Sequence, residues 1–181
     1  MNMAVMKNIC LVGFMGTGKT KAGRIVAAKL GKKFVETDEL IEKAAKKSIP
    51  KIFSEDGEIR FREIEIATIK AASTIENAVF SLGGGAVLNS INIMYMRRGA
   101  VIICLSARPD IIHQRIIADG KENRPLLAKP DPKAEIERLL ALRAPFYVSA
   151  TSLLIDTSSM TPDEVAIAII DMYEKHKLIK E

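Results

Sequence analysis

A three-layer α/β/α chain, with helices on both faces of a central parallel sheet of about five strands, is the fold class predicted by three observations. Short apolar runs such as Asn8–Val12 and Ala100–Leu105 alternate with segments of helical periodicity. Strands that read as near-continuous apolar runs are buried on both faces, as happens when crossover helices cover a parallel sheet. The 181 residues, 48% apolar and 27% charged, suit one packed domain of ordinary size. No internal repeat, low-complexity segment or Pro/Gly/Ser-rich linker divides them, so residues 1–181 are expected to form a single domain.

Taken in order, Asn8–Val12 reads as a buried strand ending at Gly13, and Thr20–Leu30 as a helix stopped by Gly31. Lys33–Glu36 is a short strand and Asp38–Lys47 a helix, with Asp38 where an N-cap would stand. Pro50–Ser54 reads as a short helix, and Glu58–Ser73 carries Ile59, Ile66 and Ile69 at helical spacing among many charges. Ala78–Leu82 is a strand that runs into Gly83, Gly84 and Gly85. Ile91–Arg97, Arg108–Ile117 and Lys133–Tyr147 read as helices around the buried strand Ala100–Leu105. Leu153–Asp156 is the last strand and Thr161–His176 the last helix. The crossovers between parallel strands should be right-handed. One segment breaks the alternation: Ala118–Pro132 is polar and aperiodic, with three prolines and one glycine. A loop of that length in a small domain serves either as an active-site lid or as a surface connection.

Composition narrows the function classes. The net charge is +5, but the basic residues are dispersed and aromatics make up only 5%, so the basic-aromatic platforms of single-strand binders are missing. No apolar run reaches membrane-spanning length, and the start of the chain does not read as a secretory signal. Cys10 and Cys104 both sit in apolar runs and read as buried reduced thiols. The expectation is a cytoplasmic monomer that binds neither nucleic acid nor membrane. His113 and His176 are isolated, and no His/Cys/carboxylate spacing matches a metal site, so any metal should arrive with a ligand.

Gly13-Phe14-Met15-Gly16-Thr17-Gly18-Lys19-Thr20 matches G-x-x-x-x-G-K-[ST], the P-loop. Glycines let successive N–H groups turn inward onto phosphate oxygens, and the helix that follows adds the positive end of its dipole. Lys19 reaches the outer phosphates and the Thr20 hydroxyl takes Mg²⁺, while Gly16, Thr17, Gly18 and Lys21 complete the candidate nucleotide site. In a chain of this length the pattern arises by chance on the order of once in a hundred sequences, before the required strand and helix around it are counted. A P-loop alone does not distinguish kinase, GTPase and ATPase. The N-K-x-D element of GTPases is absent, and neither central strand ends in the acidic residue of a motor ATPase.

With these motifs in view, the chain resembles the shikimate kinases over nearly its whole length. The P-loop form GFMGTGKT, Glu36-Thr37-Asp38, and Phe53 through Gly57-Glu58 to Phe61-Arg62 and Glu65 follow that family's order. So do Gly83-Gly84-Gly85, Arg124-Pro125-Leu126-Leu127 and Arg143-Ala144-Pro145-Phe146-Tyr147. The resemblance implies a P-loop kinase fold with a small helical substrate-binding region near residues 37–74 and a lid near 116–132. It implies ATP and shikimate as substrates, with Mg²⁺ as the cofactor. It implies Lys19, Asp38 and Arg124 as catalytic, with Arg62 and Arg143 clamping the substrate carboxylate and Glu65 orienting Arg62. Gly83, Gly84 and Gly85 would bring backbone N–H groups to the substrate, and Phe53 and Phe61 would wall its pocket. Arg115 and Arg124 would meet the nucleotide, and Thr20 and Glu36 the metal, Glu36 through water.

Taken singly, these residues have plainer readings: Asp38 as an N-cap, Arg62–Glu65 as a surface ion pair, the three glycines as an ordinary turn. The chain departs from the family pattern at Glu36, where aspartate is usual, and at Asp156-Thr157-Ser158-Ser159, which lacks the Asn or Arg often found after the last strand. The lid also reads as slightly lengthened. Rival readings are another small-metabolite kinase on the same scaffold and a non-catalytic nucleotide-binding homologue.

Overall fold

The computed structural model describes residues 3–120, 130–151 and 153–180. The chain opens with a short strand, β1 (Met3–Val5), and then β2 (Asn8–Val12), which is buried along its whole length. The phosphate-loop motif leads into α1 (Lys19–Leu30), which Gly31 ends by adopting the left-handed conformation at φ 61°. Next come β3 (Lys33–Glu36), α2 (Thr37–Ala45), a single turn α3 (Ile49–Lys51), a π-helical turn Ile52–Asp56, and α4 (Gly57–Ala72). β4 (Ala78–Ser81) is followed by the three glycines and a 3₁₀ turn (Ala86–Leu88), and then by α5 (Ser90–Arg97), capped by the Asn89 side chain. The remainder is β5 (Ala100–Ser106), α6 (Pro109–Ala118), α7 (Pro132–Ala150), β6 (Leu154–Asp156), α8 (Pro162–His176) and β7 (Leu178–Lys180).

β3, β4, β2, β5 and β6 form one sheet in that order, every pair parallel. Alternate side chains of each strand feed opposite layers. Ile9, Leu11, Val79, Val101 and Ile103 pack with α1 and α8, through Val26 and Ile169 among others. Cys10, Val12, Phe80, Ile102 and Cys104 pack on the other face with α4, α5 and the end of α7. The fold class therefore stands as the sequence predicted. Burial on both faces removes the strands from water, and each fully buried Val, Leu, Ile or Phe contributes roughly 1.5–3 kcal/mol. Smaller clusters join α6 to α7 around Phe14, and α2 to α4 around Ile41, Ile52 and Phe61.

The differences from the sequence reading lie at element ends. β4 stops at Ser81 rather than Leu82, although the Leu82 N–H still donates to Leu11 O. β5 gains Ser106, α1 starts at Lys19, and β6 starts at Leu154. α7 begins at Pro132, which needs no N–H at a first helical position, and runs on to Ala150 despite the internal Pro145. The short helix read at Pro50–Ser54 is the single turn α3 continued by the π turn. β1 and β7 pair antiparallel away from the main sheet, a contact the sequence did not reveal. Among the described residues no helix is long and apolar enough to cross a membrane.

Candidate active site

In open α/β sheets, ligands bind outside the carboxyl ends of the strands. Here the loops leaving β2, β3, β4 and β6 line one cleft of about 710 Å³. Its nucleotide half is the loop between β2 and α1. Gly13, Gly16 and Gly18 hold φ of 144°, 75° and 93°. At Gly13 a Cβ would stand 2.2 Å from Leu105 O, so the residue is fixed both by its backbone angle and by space. Gly18 is the N-cap of α1 and makes no side-chain cap, which leaves the orphan N–H groups of the first turn facing the loop. Lys19 Nζ donates to Gly13 O at 2.7 Å and Phe14 O at 2.9 Å, and the Thr17 hydroxyl donates to Phe14 O at 2.7 Å. The lysine is 8% exposed, so its charge is carried inside the loop rather than out in solvent.

Thr20 Oγ1 donates to Glu36 Oε1 at 2.6 Å, joining the first turn of α1 to the end of β3. A hydroxyl and a carboxylate in contact are hard oxygen donors, a set that suits Mg²⁺ when phosphate oxygens and water complete its shell. Among the described residues no cluster of three His, Cys, Asp or Glu side chains could hold a metal by itself. The residues present thus fit a metal that arrives with a nucleotide. Arg24, which the sequence reading passed over, lies 3.5 Å from Glu36 and 3.3 Å from Glu39, over the Phe34 ring. Lys21 pairs with Asp119 at 2.8 Å across the mouth of the cleft.

Arg115 reaches the P-loop from α6. Its guanidinium donates to Gly16 O at 3.3 Å, Thr157 Oγ1 at 3.0 Å and Thr157 O at 2.6 Å. These bonds hold the guanidinium between the P-loop and the segment after β6. Thr157, 1% exposed, is a joint that sequence reasoning missed. Its hydroxyl lies 3.1 Å from Thr17 O and 3.0 Å from Ser106 O, tying the ends of β5 and β6 to the back of the P-loop.

The acceptor half is built around the three glycines. A Cβ at Gly83 would stand 2.5 Å from Asp38 Oδ1, and one at Gly85 would stand 3.0 Å from both Arg62 Nη atoms. The turn therefore has Asp38, at the start of α2, against Gly83 and Arg62, on α4, against Gly85. Arg62 is held at 2.8 Å by the buried Glu65 and at 3.1 Å by Glu58. Burial pushes the Glu65 carboxyl above its usual value, Arg62 pulls it back, and nearby Asp38 adds to the push. Arg62–Glu65 is no surface pair, since the Glu65 side chain is 2% exposed.

Arg143 comes from α7 on the other side of the turn. Its Nη1 lies 3.4 Å from Gly84 O and its guanidinium 5.4 Å from the Phe14 ring. Among the described residues the buried Arg143 Nε has no hydrogen-bond partner. Phe53 and Phe61 stack with centroids 4.5 Å apart, Phe61 buried and Phe53 at the rim. Arg124 and the Pro125-Leu126-Leu127 that follows it lie outside the described residues. The two cysteines are buried, and burial pushes the Cys104 thiol up to about 11, so it stays protonated.

The family model for shikimate kinase matches residues 15–174. Among curated relatives, the shikimate kinase of Thermodesulfovibrio yellowstonii is 46% identical over 170 residues, covering 94% of this chain and 96% of that one. The shikimate kinase of Caldanaerobacter subterraneus subsp. tengcongensis is 47% identical over 172 residues, covering 95% and 99%. Among solved structures, shikimate kinase from Acinetobacter baumannii in complex with shikimate superposes with a TM-score of 0.87 at 31% identity, covering 95% of each chain. The Aquifex aeolicus enzyme superposes at 0.76 with 29% identity, covering 93% and 96%.

Proposed function

The chain belongs to the shikimate kinase family, and on that premise we propose that it transfers the γ-phosphoryl group of ATP to the 3-hydroxyl of shikimate, giving shikimate 3-phosphate and ADP. One contact carries the reading. A Cβ at Gly84 would stand 3.3 Å from Met15 N, so the acceptor turn packs directly on the phosphate loop. An acceptor hydroxyl held at that turn is within reach of a terminal phosphate in that loop, which is what in-line transfer requires.

Lys19 and the inward N–H groups of Gly16, Thr17 and Gly18 hold and neutralise the phosphates. Thr20 and Glu36 would hold Mg²⁺, which when bound would offset charge on the transferring group. Arg62 and Arg143 approach the turn from opposite sides and grip the carboxylate by the paired hydrogen bonds a guanidinium makes. Asp38 accepts a hydrogen bond from the attacking hydroxyl and orients it. As the new O–P bond forms, the bond from the γ-phosphorus to the bridging oxygen breaks, ADP leaves, and the hydroxyl proton passes to Asp38. Phe53 and Phe61 wall the pocket, and the face of Arg115 lies against the nucleotide. The enzyme acts as a monomer in the cytoplasm, on two soluble metabolites.

The carboxylate clamp tests the reading. Arg143→Ala should raise KM for shikimate at least tenfold and leave KM for ATP within about twofold, as steady-state kinetics varying each substrate would measure. An equal rise in both would remove Arg143 from the acceptor site.

A further inference from the structure

Tyr147 takes no part in the chemistry above, yet it makes a short contact in the acceptor half. It stands one helical turn beyond Arg143 on α7, and the two converge on one atom. The Tyr147 hydroxyl donates to Gly84 O at 2.8 Å, beside Arg143 Nη1 at 3.4 Å. Burial pushes the Tyr147 phenol far above its usual value, so the group stays a neutral donor at every pH the protein meets.

The consequence follows from peptide geometry. The chain has no cis peptide bonds, and in a trans peptide the C=O and the next N–H point in opposite directions. Holding Gly84 O toward α7 therefore turns the Gly85 N–H away from α7. A peptide flanked by two glycines swings at little steric cost, so its direction needs an outside hold. The Ala86 N–H and Leu88 N–H bonds to Gly83 O and Gly85 O fix the carbonyls on either side, and Tyr147 fixes the one between. The same turn lies against Asp38 at Gly83 and against Arg62 at Gly85, so its peptide direction bears on the groups around it.

We propose that Tyr147 is a positioning residue of the acceptor site, whose hydroxyl sets the Gly84–Gly85 peptide so that the Gly85 N–H is presented to a ring hydroxyl of the acceptor. The proposal rests on the shikimate reading. Tyr147→Phe keeps the ring and removes only the hydrogen bond.

Two measurements on the full chain test it. In steady-state kinetics, Tyr147→Phe should raise KM for shikimate roughly five- to twentyfold and lower kcat, with KM for ATP within twofold of the wild type. Equal changes for both substrates, or none, would overturn the proposal. In amide spectra of protein labelled with ¹⁵N-glycine, the wild-type Gly85 signal should shift on titration with shikimate. In Tyr147→Phe that signal should start from a different position and respond less. A wild-type Gly85 signal indifferent to shikimate would overturn the proposal even if the variant failed to fold. A wild type that turns over no shikimate would instead overturn the function on which it rests.

Discussion

Asp38 and Gly83 show how narrowly single side chains constrain this site. The Asp38 carboxylate occupies the space a Cβ at Gly83 would need, at 2.5 Å. Gly83→Ala should therefore push the Asp38 carboxylate aside without removing it. Asp38→Asn is expected to lower kcat by about a hundredfold or more and Gly83→Ala by less, while ATP affinity, read by calorimetry, stays within about threefold in both. An Asp38→Asn enzyme with wild-type turnover would separate Asp38 from the transfer step. The P-loop was legible in the sequence because its work is local: Lys19 binds carbonyls five and six residues away. Tyr147 and Thr157 were not, because their partners lie 63 and 140 residues away, at Gly84 and Thr17, and no spacing records such a meeting. Arg62 could be recognised only through the family, since an arginine three residues before a glutamate on a helix also describes an ordinary surface pair. The burial of Glu65 is what separates the two cases.

Elements carry these side chains into place, and their joints can be tested separately. Thr157 ties the ends of β5 and β6 to the back of the P-loop, so Thr157→Val, of similar shape, should leave one buried carbonyl short of a donor and Arg115 short of an acceptor. The expected cost is about 1–3 kcal/mol in urea unfolding, with ATP affinity weakened several-fold and shikimate affinity unchanged. A variant that lost shikimate and ATP binding together would assign Thr157 to the whole fold rather than to the nucleotide half. At α8 the Thr161 and Glu164 side chains cap the helix reciprocally, and hydrogen bonds from Thr161 hold the Glu164 carboxyl below its usual value. A depressed carboxyl stabilises the fold above its unfolded-state value, and that stabilisation is lost as pH falls through the lower folded-state value. Thr161→Ala should thus lower Tm by a few degrees at neutral pH, and the deficit should shrink as the pH falls past the glutamate range. A deficit constant with pH would mean that the Glu164 half of the cap contributes nothing. The main strands were readable because burial on both faces leaves near-continuous apolar runs. β1 and β7 were not, because three residues at each end of the chain carry no period and depend on each other for pairing.

At the scale of the molecule, the parallel sheet places two half-sites side by side. β2 lies between β4 and β5, so the phosphate loop leaving β2 stands next to the glycine turn leaving β4. β3 flanks β4 on the outer side and brings Glu36 to Thr20 at the P-loop and, two residues on at the start of α2, Asp38 to Gly83. The order β3–β4–β2 thus sets Asp38, the glycine turn and the phosphate loop in a row along the carboxyl edge. That order was not written in the sequence, where β2, β3 and β4 follow one another; it arises from packing two crossovers against one core. Shikimate as the acceptor is the central assignment. ADP release by the purified protein, with ATP and Mg²⁺ present and shikimate present or withheld, tests that most directly. Release should depend on shikimate and saturate with it, along with formation of shikimate 3-phosphate. ATP that binds tightly but gives the same slow ADP release with and without shikimate would contradict it.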